Sequence, residues 1–425
     1  MSSDSETRAD FHPALRPKRS RSGRLGEVAL RRLLSKLVIG EIVVMTPGGR
    51  SVEHRASENG PRATLVLHRW RALLHLLTGG DVGFAHAYMA GDWSSPDLTA
   101  LIELAAANGP HMERLIAGAL PIRAWNQLRH MLRFNSIAGS ERNIAFHYDL
   151  GNEFYRLWLD PGMTYSSGLY EGDTQNLQAA QQAKITRILD LLALEGGERV
   201  LEIGCGWGTL AAAIAGTGAH VTGLTLSREQ HAHAETLLAE AGLSARTDIR
   251  LQDYRDVDGQ YERIVSIEML EAVGEKYWPT YFRTLHERLV PGGIAVLQVI
   301  SIAADRLESY RRSTDFIQHF VFPGGMLLTK PIIADQARAA GLDLVSSEHF
   351  GESYARTLAD WRQRFDDARP EVEKLGFDER FLRLWNYYLC YCEAGFRAKA
   401  IDVGLYVLRK DARGTHDPAA RSILS

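Results

Sequence analysis

The segment that most constrains this chain is Val200-Leu-Glu-Ile-Gly-Cys-Gly-Trp-Gly208, an apolar run that breaks into three alternating glycines. A strand that meets Gly204, Gly206 and Gly208 can turn sharply and lay bare backbone against a ligand, because no Cβ stands in the way. The helix predicted to follow, Thr209 to Ala215, offers free backbone N–H groups to an anionic group such as a carboxylate. The spacing is G-x-G-x-G, not the G-x-G-x-x-G of dinucleotide sites. A tight turn alone also asks for glycines, so the surrounding chain has to decide.

From Ile188 onward the pattern alternates. Strands are predicted at Arg199–Ile203, Ala219–Thr225, Ile249–Leu251, Tyr261–Ser266 and Gly293–Ile300, separated by helices such as Arg228–Ala241 and Tyr277–Leu289. That rhythm predicts an α/β fold with a mostly parallel, doubly wound sheet, whose ligand crevice lies outside the carboxyl ends of the strands. After the second strand, Leu224 to Gln230 lacks the acidic residue that commonly holds a ribose diol, which leaves Thr225, Ser227 and Gln230 as neutral donors and acceptors. Helix capping is the competing role for Thr225 and Ser227. Asp253, Tyr254 and Arg255 follow the third strand, where the base of a nucleoside ligand would lie.

At 425 residues, two or three folding units are expected, at about 100–200 residues each. Residues 1–24 read as a disordered basic arm carrying Arg16, Lys18, Arg19, Arg21 and Arg24. Residues 25–108 read as a small α/β domain. It opens with an amphipathic helix from Leu25 to Leu37 and has strands at Ile42–Met45 and Ala63–Leu67. A helix from Trp70 to Leu77, a turn-rich segment from Gly83 to Trp93 and a helix from Leu98 to Ala107 complete it. Residues 109–143 read as a helical linker, 144–410 as the main domain and 411–425 as a flexible tail. The first helix carries arginines opposite its apolar stripe. Packing on its own domain is the ordinary reading, and resting on anionic lipid is the sharper one.

Composition removes several classes of function. The net charge of −3 gives no support for a nucleic-acid partner. Cys205, Cys390 and Cys392, the three cysteines, form neither a disulfide framework nor a zinc spacing, which predicts a reducing cytosolic setting. Cys390 and Cys392 fall in an aromatic helix and read as core. His147, His220, His319 and His349 lack ligand spacing, so no metal is expected. No apolar run approaches the ~18–20 residues needed to cross a bilayer, and the polar, basic N-terminus is not a secretory signal. Membrane contact is therefore expected to be peripheral.

Six further motifs occur in order around the glycine loop: His147-Tyr-Asp-Leu-Gly-Asn-Glu-Phe-Tyr155, Thr164-Tyr-Ser-Ser-Gly-Leu-Tyr170, Leu251-Gln-Asp-Tyr-Arg255, Ile267-Glu-Met-Leu-Glu-Ala-Val-Gly274, Phe322-Pro-Gly-Gly325 and Thr357-Leu-Ala-Asp-Trp-Arg-Gln-Arg-Phe365. Together they closely resemble the cyclopropane-fatty-acyl-phospholipid synthases and mycolic acid cyclopropane synthases over about residues 143–410. Ala87-Tyr-Met-Ala-Gly-Asp-Trp93 is similar to the N-terminal lipid-engaging domain of the phospholipid-acting members. The resemblance implies a Rossmann-like S-adenosylmethionine (SAM) methyltransferase domain acting on the double bond of an unsaturated phospholipid acyl chain, with cyclopropane formation by methylene transfer. It implies that Tyr148, Tyr165 and Ser166 meet the methionine end of SAM, and that Gly204, Gly206, Trp207 and Gly208 line its pocket. Thr225, Leu226 and Gln230 fall on the ribose side, Asp253, Tyr254 and Arg255 near adenine, and Ile267 against the cofactor. It further implies a homodimer and a cytoplasmic protein held peripherally on the anionic inner face of the membrane.

The chemistry explains the residue types. An alkene is a weak nucleophile, so the methyl donor must be held in line with it. The product is a carbocation, which calls for a dry site with aromatic faces; Phe320, Phe322 and Tyr354 are candidates. Residues 301–400 are expected to wall the acyl tunnel. In the family a bicarbonate ion takes the final proton, held by a cysteine backbone amide, a glutamate, a histidine and a tyrosine. Glu271 and Tyr354 match the glutamate and tyrosine, and Ile300 a neighbouring backbone position. Ser167 replaces the cysteine, and Gln298 the histidine, which is more serious because glutamine is neither base nor cation. Glu268 stands where histidine-bearing members have glycine. Glu268 and Gln298 are therefore expected to act as a replacement pair, as in plant-type members, with the Glu268 carboxylate in the bicarbonate position. The alternative is that Glu268 only bonds backbone and bicarbonate serves as usual. Methyl- or methylene-branched products, or a non-catalytic lipid-binding module, are the competing functions.

Overall fold

The computed structural model of the chain describes residues 21–109, 111–112 and 150–412. Tyr148, His147, most of the basic arm, nearly all of the linker and the end of the tail lie outside the described residues. The first helix, α1 (Arg21–Leu34), begins within the stretch read as disordered.

The N-terminal unit is a four-stranded sheet of β1 (Ile39–Met45), β2 (Ser51–Arg55), β3 (Glu58–Leu67) and β4 (Trp93–Ser94), ordered β2-β1-β3-β4. Inward residues alternate along β1, so Ile42 and Val44 are buried. The inner face of α1 packs there through Leu30, Leu33 and Leu34. The segment predicted as turn-rich is instead mostly helix: α2 runs Arg71–Met89, kinked at Gly80, whose φ of +62° no ordinary residue adopts readily. Gly83 serves close packing, since a Cβ there would lie 2.2 Å from the His75 carbonyl oxygen. Glycine marked a tight approach between two helical halves, not a turn. The next helix, α3 (Leu98–Ala107), is capped by Asp97.

The main domain carries α4 (Asn152–Arg156), α5 (Leu177–Leu192), β5 (Arg199–Ile203), α6 (Thr209–Gly216), β6 (His220–Thr225), α7 (Arg228–Glu240), β7 (Thr247–Leu251), β8 (Tyr261–Ile267), α8 (Trp278–Arg288) and β9 (Leu289–Ile302). It continues with α9 (Leu307–Arg312), α10 (Lys330–Ala339), β10 (Leu342–His349), α11 (Gly351–Asp367), α12 (Arg369–Lys374), α13 (Glu379–Arg397) and β11 (Ile401–Lys410). Seven strands form one sheet ordered β10-β11-β9-β8-β5-β6-β7, parallel except for β11. The chain steps from β5 to β6 and β7 on one side, then to β8 and β9 on the other. Strand order therefore reverses at β5, and the crevice opens at its carboxyl end, where the glycine loop sits. Four residues of β5, Val200 to Ile203, are buried on both faces, as a central parallel strand requires.

An aromatic knot of Phe154, Tyr155, Trp158, Trp361 and Trp385 joins α4, α11 and α13 beneath the crevice. The two units are fastened through α13. Thr99 donates to the buried Glu393 at 3.0 Å, and Asn386 donates to the Tyr88 hydroxyl at 3.1 Å. No described helix is long and apolar enough to cross a membrane.

Candidate active site

Beyond β5 the loop residues Gly204, Gly206 and Gly208 have φ of +84°, +53° and +94°. A Cβ on Gly208 would lie 2.9 Å from Ala234 of α7, so the third glycine seats the helix and stands back from the cavity. Gly204, Gly206 and Trp207 line a cavity of about 970 Å³, at the upper end of the ~300–1,000 Å³ usual for small-molecule sites. Tyr165, Ser166, Thr225, Leu226, Gln230, Tyr254 and Ile267 line it as well.

Local bonds fix each of these groups. The Asp160 carboxylate accepts from the Gly162 and Thr164 amides, both at 2.9 Å, and so shapes the turn that presents Tyr165 and Ser166. Gln181 donates to the Ser166 carbonyl at 2.8 Å, and the Lys184 ammonium donates to the Ser166 hydroxyl at 2.6 Å. The Tyr165 and Tyr388 hydroxyls lie 2.7 Å apart. Ser227 caps α7 by accepting from the Gln230 amide, while the Thr225 hydroxyl donates to the Gln230 side chain at 2.8 Å. Capping thus accounts for Ser227.

Asp253 and Arg255 are not brought to the cavity. Their side chains pair with each other at 2.6 and 2.7 Å, and only Tyr254 between them reaches the lining. Phe320 also turns away and packs on Phe316 and His319, whereas Phe322 and Tyr354 line the space.

Two residues outside the sequence reading stand in the site. Glu202, on β5, is buried at the cavity wall with Oε2 lacking a partner among the described residues, and burial pushes its carboxyl well up. Its signal was an acid inside an otherwise apolar central strand. Lys184 is buried at the same wall. Burial lowers its ammonium to about 8, while Glu268 and Asp160 pull it back upward. Its signal was a lone cation on the inward face of α5.

The catalytic candidates converge on one carboxylate. Glu268 follows β8 with φ of +51° and is tied by its backbone N–H to the Gln298 carbonyl at 2.8 Å. Its Oε1 accepts from the Ser167 amide at 2.9 Å and from the Gln298 side chain at 2.6 Å, and its Oε2 accepts from the Tyr354 hydroxyl at 2.6 Å. Ser167 and Gln298 are fully buried behind the carboxylate, off the lining. Burial raises the Glu268 carboxyl, and the Tyr354, Ser167, Lys184 and Gln298 donors or charges oppose that rise. Glu271 accepts a short bond from the Ile300 amide, and its Oε2 has no partner among the described residues. Burial first, then the Glu268 charge, pushes Glu271 up to about 8. The donors on Glu268 and the Lys184 charge oppose its rise, whereas the Glu268 charge adds to that of Glu271, so of the two carboxyls Glu268 is the one whose ionised form is favoured. Among the described residues no group of side chains has the makings of a metal site.

The crevice fits a SAM molecule. Its floor is bare glycine backbone, a buried acid with an open oxygen faces it, and neutral groups stand where a ribose would lie. A sequence profile of the mycolic acid cyclopropane synthetase family matches residues 136–405. The chain belongs to that family and is a SAM-dependent methyltransferase of its fold. Among its relatives is the tuberculostearic acid methyltransferase UfaA1 of Mycobacterium tuberculosis, 40% identical over 365 residues that span 83% of this chain and 84% of that protein. The cyclopropane-fatty-acyl-phospholipid synthase of Escherichia coli K12 is 36% identical over 77% of this chain and 83% of its own length. The crystal structure of mycolic acid cyclopropane synthase CmaA1 with SAH and CTAB superposes with a TM-score of 0.60 at 32% identity, covering 64% of this chain and 98% of that one.

Proposed function

We propose that the protein transfers the SAM methyl group to the double bond of an unsaturated fatty acyl chain esterified in phospholipid, with Glu268 taking the proton that leaves. When bound, SAM supplies an electrophilic methyl group. The methyl forms a bond to one alkene carbon as its bond to sulfur breaks, and the positive charge falls on the other alkene carbon. Tyr354 and Phe322 face the space where that charge develops, and a desolvated cation gains about 2 kcal/mol over an aromatic face. Loss of a methyl proton to Glu268 with closure of the second carbon–carbon bond gives the cyclopropane. The carrying observation is the convergence of the Ser167, Gln298 and Tyr354 donors on the Glu268 carboxylate. Those positions hold bicarbonate in the family, so Glu268 fills its place.

A methylene- or methyl-branched product is the second reading, favoured by the same replacement and by the 40% identity to a protein named as a tuberculostearic acid methyltransferase. There a hydride migrates from the methyl-bearing carbon before the methyl proton is lost, and an exocyclic methylene results. The docking surface under either reading is an anionic membrane face, met from the cytoplasm by the basic N-terminal end, with a homodimer as the assembly.

Incubation with methyl-labelled SAM and monounsaturated phospholipid vesicles, followed by NMR of the released chains, tests this. Shielded ring-methylene protons mark cyclopropane and vinylidene protons mark the branched product, which mass cannot separate. Label entering protein, RNA or a small metabolite in preference to the vesicles overturns the substrate assignment.

A further inference from the structure

The acyl space does not stop at residues 301–400, as the sequence led one to expect. The cavity that begins at the glycine loop and passes Glu268 continues into the interior of the N-terminal unit. There its walls are Leu30 and Leu34 of α1, Leu65 of β3, Leu73 of α2, and Leu101 and Leu104 of α3. These are the side chains that alternation and helical periodicity assign to the core of that unit. A core normally closes on itself, because unfilled volume among leucines forfeits contact energy on every side. This one is left open toward the catalytic centre. The leucine-walled part of such a space disfavours water and suits hydrocarbon, while Asp81, Arg306, Arg312 and Asp315 border the cavity elsewhere.

Two observations agree. Asp81 and Asp315, carboxyl groups bordering the passage, are pushed toward their neutral forms by burial, to about 8 and about 6. The helices α1 and α2, whose inner faces line the space, also carry apolar side chains outward. Leu25 is 73% exposed, Val28 65% and Leu74 60%. Gly26 of α1 packs against the Trp70 ring at the start of α2, which joins those outward residues into one region. Exposed Arg31, Arg32 and Lys36 flank it, complementary to anionic lipid.

We propose that the interior of the N-terminal unit is an acyl-chain compartment, filled during turnover by hydrocarbon drawn from an anionic bilayer at the α1–α2 face. The guest is a phospholipid acyl chain, either the far part of the reacting chain or its sister chain. The proposal rests on the acyl-methylation reading, but it can be tested without turnover. The full-length protein would be mixed with phosphatidylglycerol vesicles whose acyl chains carry a diazirine, irradiated, and digested for mass spectrometry. Adducts in the α1, β3 and α3 peptides are expected. Adducts confined to residues 301–401 would overturn the compartment, whatever the methylation assay gives, and methylation failing while these adducts form would sink only the functional reading. Leu34→Trp and Leu101→Trp fill the space and are expected to lower kcat/KM on vesicles at least tenfold with unchanged SAM affinity by calorimetry; full turnover by either variant overturns the proposal. If the variants fail to fold, the adduct map of the wild type still decides. Equal losses on lysophospholipid and diacyl substrate identify the reacting chain as the guest, and a loss on diacyl substrate alone identifies the sister chain.

Discussion

Replacing Glu268 by glycine separates its backbone conformation from its proposed role as base. At φ of +51° a side chain costs about 1–2 kcal/mol relative to glycine. Glu268→Gly relieves that strain but strands the Ser167 amide, the Gln298 amide and the Tyr354 hydroxyl, three donors aimed at one point. A buried donor left unmet costs about 1–3 kcal/mol, so three of them outweigh the gain and the variant is expected to be less stable by a few kcal/mol. Removal of a general base lowers rate by about 10²–10⁴, and kcat should fall within that range while SAM affinity holds.

The void is the size of the carboxylate it lost, and its donors suit a small planar anion. Formate or bicarbonate should therefore bind the variant, raise its melting temperature and restore part of its kcat, with little effect on the wild type. An anion present at one hundred times its dissociation constant adds about 2.7 kcal/mol of stability, which thermal unfolding detects easily. The assay is initial rate on labelled SAM and vesicles across an anion titration, with melting curves alongside. Wild-type activity that depends strongly on added bicarbonate, or a glycine variant that works without any anion, would refute the assignment of Glu268 as the base.

Lys184→Met removes the cation that favours charge on Glu268, so the acidic limb of the pH–rate profile should move to higher pH; an unmoved limb in an enzyme that still binds SAM refutes the coupling. Glu271, raised from 4.5 to about 8, binds a proton in the folded state that the unfolded chain has released, so its contribution to stability falls as pH rises between those values. Glu271→Gln should flatten that decline, as read from denaturant midpoints at pH 5 and 8. Tyr354→Phe removes one donor from Glu268 and strengthens it as a base, which should move product toward the ring; NMR of the acyl chains reads the ratio, and a shift toward the branched product contradicts the argument. Trp361→Ala removes a fully buried ring that packs on Trp158, Tyr165 and Tyr354 and should cost about 3–5 kcal/mol by chemical denaturation.

Much of this arrangement was legible because it is local. The β5–loop–α6 unit was written in Val200 to Gly208, and the five parallel strands were visible from apolar runs between helical stretches. The strands β2, β4, β10 and β11 were not: β2 alternates in burial but offers one apolar residue, Val52, among polar ones, β4 is two residues long, and β10 is exposed along most of its length. In α2, glycines that serve a kink and a close contact mimicked turn punctuation. Asp253 and Arg255 fell at the right place in the chain, but a neighbouring pair of opposite charges satisfied itself. The Glu268–Gln298 pairing was readable because a departure at one position was matched by another thirty residues on. Lys184 and Glu202 were missed because only tertiary packing turns a single charged residue inward. The extension of the cavity into the N-terminal unit was invisible because leucines that line a void and leucines that fill a core occupy the same positions in a periodic pattern.

Under the proposed mechanism, the strain at Glu268 and the choice of product are linked. A left-handed position is cheapest for glycine, which matches the glycine of the histidine-bearing members of the family. Placing glutamate there costs backbone energy, and the gain is a base that cannot dissociate. The three donors that position it also weaken it, since each stabilises the carboxylate more than the acid. A weaker base leaves the carbocation standing longer, and a cation beside a more substituted carbon relaxes by hydride shift when given time. Ring closure and branching then differ only in whether proton removal precedes that shift. Both outcomes use the same carboxylate, the same cavity and the same proton, so the ratio of products measures how tightly Ser167, Gln298 and Tyr354 hold Glu268.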